Sequence, residues 1–337
     1  MNFFTKIDIS SSGARIEYNS RLAFFGSCFA DNISAQFASR KFKVLANPFG
    51  TVYNPLSTAM QIKAIANGKI FGEKDVFQDA QGLWHCWNAH GSLSAKSREE
   101  CLDKLNAAAH EAREFLQNTD VIFITLGTAF VYFLRESGIA VSNCHRQNPN
   151  MFIRKMISVD HAAEASKSIV RDLQKIKCQE GSESRELHIV FTISPLRHMS
   201  DGAHNNTLSK ATLQLAVEKV MREFDRSVEG TITNPAPIIS YFPSYEIVMD
   251  ELRDYRFYDS DMIHLSKTAE EYIFERMAET YCEEKTRSDI KQVEKFLKSA
   301  NHRIQDADSP ATAAFLQKLH AEAERLESQI AGLHLDM

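Results

Sequence analysis

Leu22-Ala23-Phe24-Phe25-Gly26-Ser27-Cys28-Phe29-Ala30 runs from a short apolar stretch into a segment in which Phe29, Ile33 and Phe37 recur every four residues. Such a change of period reads as a buried strand turning into an amphipathic helix, with Ser27 at the turn. The same alternation continues along the chain. Strand-like apolar runs lie at 22–26, 42–46, 120–126, 187–194 and 238–242, most of them bounded by Gly, Pro, Asn or Ser. Helix-period segments lie at 28–41, 55–67, 97–117, 162–177, 209–224 and 268–281. Strands alternating with helices predict βαβ units and a parallel sheet covered on both faces. Sites in such sheets lie at the carboxyl ends of strands. Ser27 follows the first run, Gly127-Thr128 the third and Ser194-Pro195-Leu196-Arg197-His198 the fourth, so three candidate groups are expected at one edge.

The chain has 337 residues and a net charge of −5, with no long Lys/Arg block, so it carries no electrostatic footprint for nucleic acid or an anionic membrane. Apolar runs stop far short of the ~20 residues of a membrane helix, and residues 1–20 do not read as a signal peptide. Six scattered cysteines, Cys28, Cys86, Cys101, Cys144, Cys178 and Cys282, read as reduced thiols, and a cytoplasmic location is expected. Beyond residue 282 charge dominates. The expected division is a domain over 1–282 and a helical extension over 283–337, where Phe315, Leu319, Ala323, Leu326, Ile330 and Leu333 form one apolar stripe. That stripe is expected to be covered, either by the domain or by a second copy in a homodimer.

Two groups carry the chemistry. A hydroxyl at a strand-to-helix turn lies beside free amide donors and the positive end of a helix dipole. An acyl-transfer nucleophile needs those donors for its oxyanion, and an imidazole to take its proton. Asp261-Met262-Ile263-His264 supplies both an orienting carboxylate and a base from one loop. Ser27 is also a good helix N-cap, and the adjacent Cys28 is a rival nucleophile whose pKa a helix N-terminus lowers. Arg197 and His198 are candidates to bind a substrate group or to support the site. His85, Cys86, His90, Cys144 and His145 include zinc-ligand types, but their spacing matches no zinc pattern, and Gly82, Gly91 and Gly127 form no phosphate cradle. No metal or other cofactor is expected.

Gly26-Ser27-Cys28-Phe29-Ala30 resembles the motif that names the GSCFA family, a group of SGNH/GDSL-like hydrolases. Asn47-Pro48-Phe49-Gly50-Thr51, Asn143-Cys144-His145, Ser194 to His198, Leu208-Ser209-Lys210 and the stretch from Tyr241 to His264 look like further blocks of it, in order, over roughly residues 15–282. The resemblance implies a flavodoxin-like α/β/α sandwich with Ser27 as nucleophile, Asp261 and His264 completing the triad, and backbone amides of Ser27 and Gly50 as oxyanion donors. SGNH enzymes usually add an Asn amide from a Gly-x-Asn motif, where this chain reads Gly127-Thr128-Ala129. Thr128, or an amide such as Asn143, is the expected replacement, and Asn143, His145, Arg197 and His198 are the candidate substrate contacts. The implied reaction is ester hydrolysis or acyl transfer, with an O-acyl or O-acetyl group on a carbohydrate as the leading substrate. The alternatives are a weak or inactive binding protein, or a thiol acyltransferase using Cys28.

Overall fold

The computed structural model describes residues 4–10, 13–178, 186–225, 237–302 and 309–335. Five parallel strands form its centre: β1 (Arg21–Gly26), β2 (Lys43–Ala46), β3 (Val121–Leu126), β4 (His188–Ile193) and β5 (Ile238–Phe242). Their order across the sheet is β2-β1-β3-β4-β5, so the chain reverses direction of travel between β1 and β3. That is the flavodoxin-like order, and its crevice opens at the carboxyl ends of those two strands.

The pleat sends alternate side chains of β1 to opposite faces. Leu22 and Phe24 join Val121, Phe123 and Val190 in a core shared with helices α1 (Cys28–Ser39) and α6 (Lys267–Tyr281). Ala23 and Phe25 join Ile122, Ile124 and Phe191 beneath α2 (Pro55–Ala66), α3 (Arg98–Gln117), α4 (Val159–Lys177) and α5 (Ala203–Glu223). The result is a three-layer α/β/α sandwich. Among the described residues no helix is long and apolar enough to cross a membrane.

Two helices start earlier than their apolar period indicates. α4 begins at Val159 because Ser158 caps it, its hydroxyl accepting from the His161 N–H at 3.2 Å. α5 begins at Ala203 and includes a polar first turn and a half, His204-Asn205-Asn206-Thr207, that carries no apolar signal. Small antiparallel additions were also not legible as runs. Phe130–Leu134 pairs with Ala140–Val141 and with Phe152–Met156, and Phe77–Gln78 pairs with Trp84–His85.

The C-terminal stripe packs within the chain. Helices α7 (Glu284–Ala300) and α8 (Pro310–Gln329) extend the core on the α1/α6 face, where Leu319, Ala323, Leu326, Ile330 and Leu333 are buried and Phe315 is partly so. Arg40, at the end of α1, ties the layer together by pairing with Glu271 of α6 and, at 2.6 Å, with Glu294 of α7.

Candidate active site

At the end of β1 the chain turns so tightly that only glycine fits. Gly26 has φ +128°, and a Cβ there would lie 2.0 Å from the Thr125 carbonyl oxygen of the neighbouring strand. Its N–H donates to Asn47 Oδ1 at 2.8 Å, and the other end of that carboxamide donates to Asp31 at 2.6 Å. Thr51 Oγ1 donates to the second oxygen of Asp31 at 2.7 Å. One carboxylate in the first turns of α1 therefore fastens the 47–51 loop to the Ser27 turn. Ser27 holds the N-cap position of α1, yet its side chain makes no capping hydrogen bond. Its Oγ is buried and without a hydrogen-bond partner, an unusual state for a buried hydroxyl unless a ligand or a catalytic partner uses it.

Asp261 and His264 meet as their spacing predicts. Asp261 Oδ2 lies 2.5 Å from His264 Nδ1, while Oδ1 accepts the backbone N–H groups of Ile263 and His264, each at 2.9 Å. Those bonds, the imidazole first, hold the Asp261 carboxyl well below its ordinary value, at about 2. Both side chains are about half exposed. Their loop directly precedes α6, and Asn32 of α1 donates to Glu270 in the first turn of α6, so the dyad stands beside the helix that Ser27 begins. No hydrogen bond joins His264 to Ser27.

The backbone amides named as oxyanion donors are engaged elsewhere. The Gly50 N–H donates to Asn47 O at 2.6 Å, the Thr128 N–H to Tyr53 O at 2.8 Å, and the Ser27 N–H to Thr125 O at 3.3 Å. Thr128 Oγ1 lies 3.1 Å from Ser209 Oγ. Asn143 and His145 lie apart, on the loop against Trp87: Asn143 Oδ1 accepts from the His145 N–H at 2.8 Å, and His145 Nε2 lies 2.8 Å from the Cys86 carbonyl. Burial pushes the His145 pKa down to about 4. Arg197 Nη2 contacts Met249 Sδ at 3.2 Å, and its charge reaches both Tyr258 of the dyad loop and Lys210.

The fold brings His198 beside the Ser27 turn. A Cβ on Gly127 would lie 3.4 Å from Ser27 Cβ, 3.3 Å from His198 Nε2 and 3.1 Å from Tyr53 O. The His198 ring meets the Tyr53 ring edge-on at 5.6 Å. Burial first, and then the Lys210 and Arg154 cations, push its pKa down to about 4. Arg154 is itself held by both oxygens of Asp201.

Sequence reasoning missed Lys210 as an individual residue, although it stands in the quoted Leu208-Ser209-Lys210. Fully buried, its Nζ donates to Gly127 O at 2.7 Å and to Ser194 O at 2.6 Å. Ser209 Oγ accepts from the Ala129 N–H at 2.7 Å, so two adjacent residues of α5 clamp the turns after β3 and β4. Burial drives the Lys210 pKa down to about 7, against the pull of nearby Cys28. Lysine inside a helix carries no sequence signal of burial, because it is ordinarily solvated. The Cys28 thiol is pushed up, by burial and then by Asp31. All six cysteines are free. Among the described residues no group of three or more His, Cys, Asp or Glu side chains converges to hold a metal ion.

No curated protein matches the chain. The GSCFA family model matches residues 21–277, a span that runs from the first residue of β1 into α6 and takes in the Ser27 turn, the Lys210 clamp and the Asp261–His264 dyad. The chain belongs to the GSCFA family.

Proposed function

We propose that the protein is a serine hydrolase or acyltransferase of SGNH type, with Ser27, His264 and Asp261 as its triad. The observation that carries this is the Asp261–His264 pair: one carboxylate holds Nδ1 and two amides of the same loop, leaving Nε2 free, beside a helix whose first turn presents an unpartnered buried hydroxyl. In the reaction the dyad loop closes until His264 Nε2 takes the Ser27 Oγ proton. Oγ then bonds to the ester carbonyl carbon, and the carbonyl oxygen becomes an oxyanion. Collapse breaks the bond to the leaving alcohol, which departs with the proton from His264 and leaves an acyl-enzyme. Water completes a hydrolysis, and a second alcohol completes a transfer. An O-acyl group on a carbohydrate is the leading substrate, and Tyr53, 40% exposed beside His198, offers an aromatic face for a sugar ring.

Cys28 supports a second reading as a thiol acyltransferase, since it is the first residue of α1 and adjoins Ser27. Its raised pKa keeps it a thiol and favours serine. A fluorophosphonate probe separates the two. Ser27→Ala should abolish labelling and Cys28→Ala should leave most of it. An adduct found on Cys28 by mass spectrometry replaces the serine mechanism, and no adduct at all favours a non-catalytic binding role.

A further inference from the structure

We infer that His198, neutral and with its proton on Nε2, is the side-chain donor to the oxyanion formed at Ser27, in place of the amide that Gly127-Thr128-Ala129 does not provide. This deepens the serine reading above and rests on it. Three observations carry it. First, the Ser27 and Gly50 amides that resemblance assigns to this task are bonded to the Thr125 and Asn47 carbonyls, and the amide of Thr128, the expected replacement donor, is bonded to the Tyr53 carbonyl. Second, His198 Nε2 and Ser27 Cβ both lie within van der Waals reach of the one point where Gly127 lacks a side chain, and neither ring nitrogen of His198 has a hydrogen-bond partner among the described residues. A side chain at position 127 would fill the space between them, which gives that glycine a reason beyond backbone freedom.

Third, the ring is held in place from several sides. Its backbone N–H donates to the buried Asn206 Oδ1 at 2.9 Å, and Tyr53 meets its edge. Burial first, and then Lys210 and Arg154, keep the imidazole neutral across the physiological range; Lys210 itself has a pKa pushed down to about 7, and Arg154 carries the Asp201 carboxylate on its guanidinium. A neutral imidazole is a poor base but a competent donor to a developing oxyanion. The division of labour follows from surroundings: His264, paired with a carboxylate, accepts the proton, and His198, kept neutral chiefly by burial, donates a hydrogen bond and keeps its own.

The test is turnover of p-nitrophenyl acetate, with fluorophosphonate labelling, in the full chain and in His198→Ala and His198→Gln. Wild type should label at Ser27. His198→Ala should lower kcat by ~10²–10³ with KM nearly unchanged, and the pH profile should keep its shape, because the donor carries no titration of its own near neutrality. His198→Gln, which restores an N–H, should recover at least about tenfold of the lost rate. A wild-type rate in His198→Ala, a change confined to KM, or a Gln variant no better than Ala overturns the inference while leaving the serine reading standing. A shift of the pH profile in His198→Ala also overturns it, by making His198 a base. Wild type that neither labels nor turns over overturns both.

Discussion

Asp261 accepts from its own loop on both oxygens: His264 Nδ1 at 2.5 Å on one, and the N–H groups of Ile263 and His264 at 2.9 Å on the other. The three-residue spacing makes this possible, because the backbone between the two residues curls around the carboxylate. A carboxyl held at about 2 stays ionised well into the acid range. Asp261→Asn removes the charge but keeps the size. Ester turnover should fall by ~10²–10⁴, while the melting temperature moves little, since both side chains are half exposed. An unchanged rate removes the dyad from the mechanism.

Gly26 is predicted to be irreplaceable for packing reasons alone. Alanine at φ +128° would press its Cβ to 2.0 Å from Thr125 O, with rigid backbone on both sides. The clash should cost on the order of 3 kcal/mol or more, or roughly 4 °C or more in melting temperature for a chain of 337 residues. Calorimetry of Gly26→Ala checks it. A melt within about 2 °C of wild type would mean that β1 and β3 can separate at this point.

Stability should fall as the pH drops from about 6.5 to about 4. Burial pushes the His145 and His198 pKa values down to about 4, from an ordinary 6.5. In that window the unfolded chain takes up protons that the folded chain refuses, so stability is present in full above it and is lost through it. For His145, which is 8% exposed, the loss should approach about 2 kcal/mol at pH 4.5. His145→Gln keeps a donor for the Cys86 carbonyl without the titration. Its melting temperature should drop less than wild type between pH 7 and pH 4.5, and parallel curves would show that the ring opens to water instead.

Leu326 is fully buried between the C-terminal helices and the α1/α6 layer. Leu326→Ala should cost ~2–5 kcal/mol and lower the melting temperature, with fluorophosphonate labelling retained wherever the protein stays folded. Light scattering addresses the dimer. If a homodimer forms through the apolar stripe, the variant should dissociate, whereas a monomer in both cases assigns the stripe to intramolecular packing alone. No change in stability would mean that the helices are a solvated appendage.

Much of this molecule is local and therefore readable along the chain. The switch from a β period to a helix period at Gly26-Ser27 is a matter of apolar spacing, and so are the five strands of the central sheet, three of which bury both faces. Asp261 and His264 meet because three residues separate them. Non-local pairing decided the rest. The short antiparallel strands around Phe130–Leu134 and Trp84–His85 have too few residues to show a period. The Tyr53 carbonyl that takes up the Thr128 amide comes from a turn that only folding aligns, whereas Gly50 N–H to Asn47 O is a contact within a single loop. Lys210 lies 83 residues from the Gly127 carbonyl it holds, and its burial reverses the ordinary expectation for lysine. His198 lies far in sequence from Ser27. Composition fixes neither the burial and charges around its ring nor the missing side chain at Gly127 beside it, because a field at a point is set by where charges stop in space, and that depends on the order in which the strands stack.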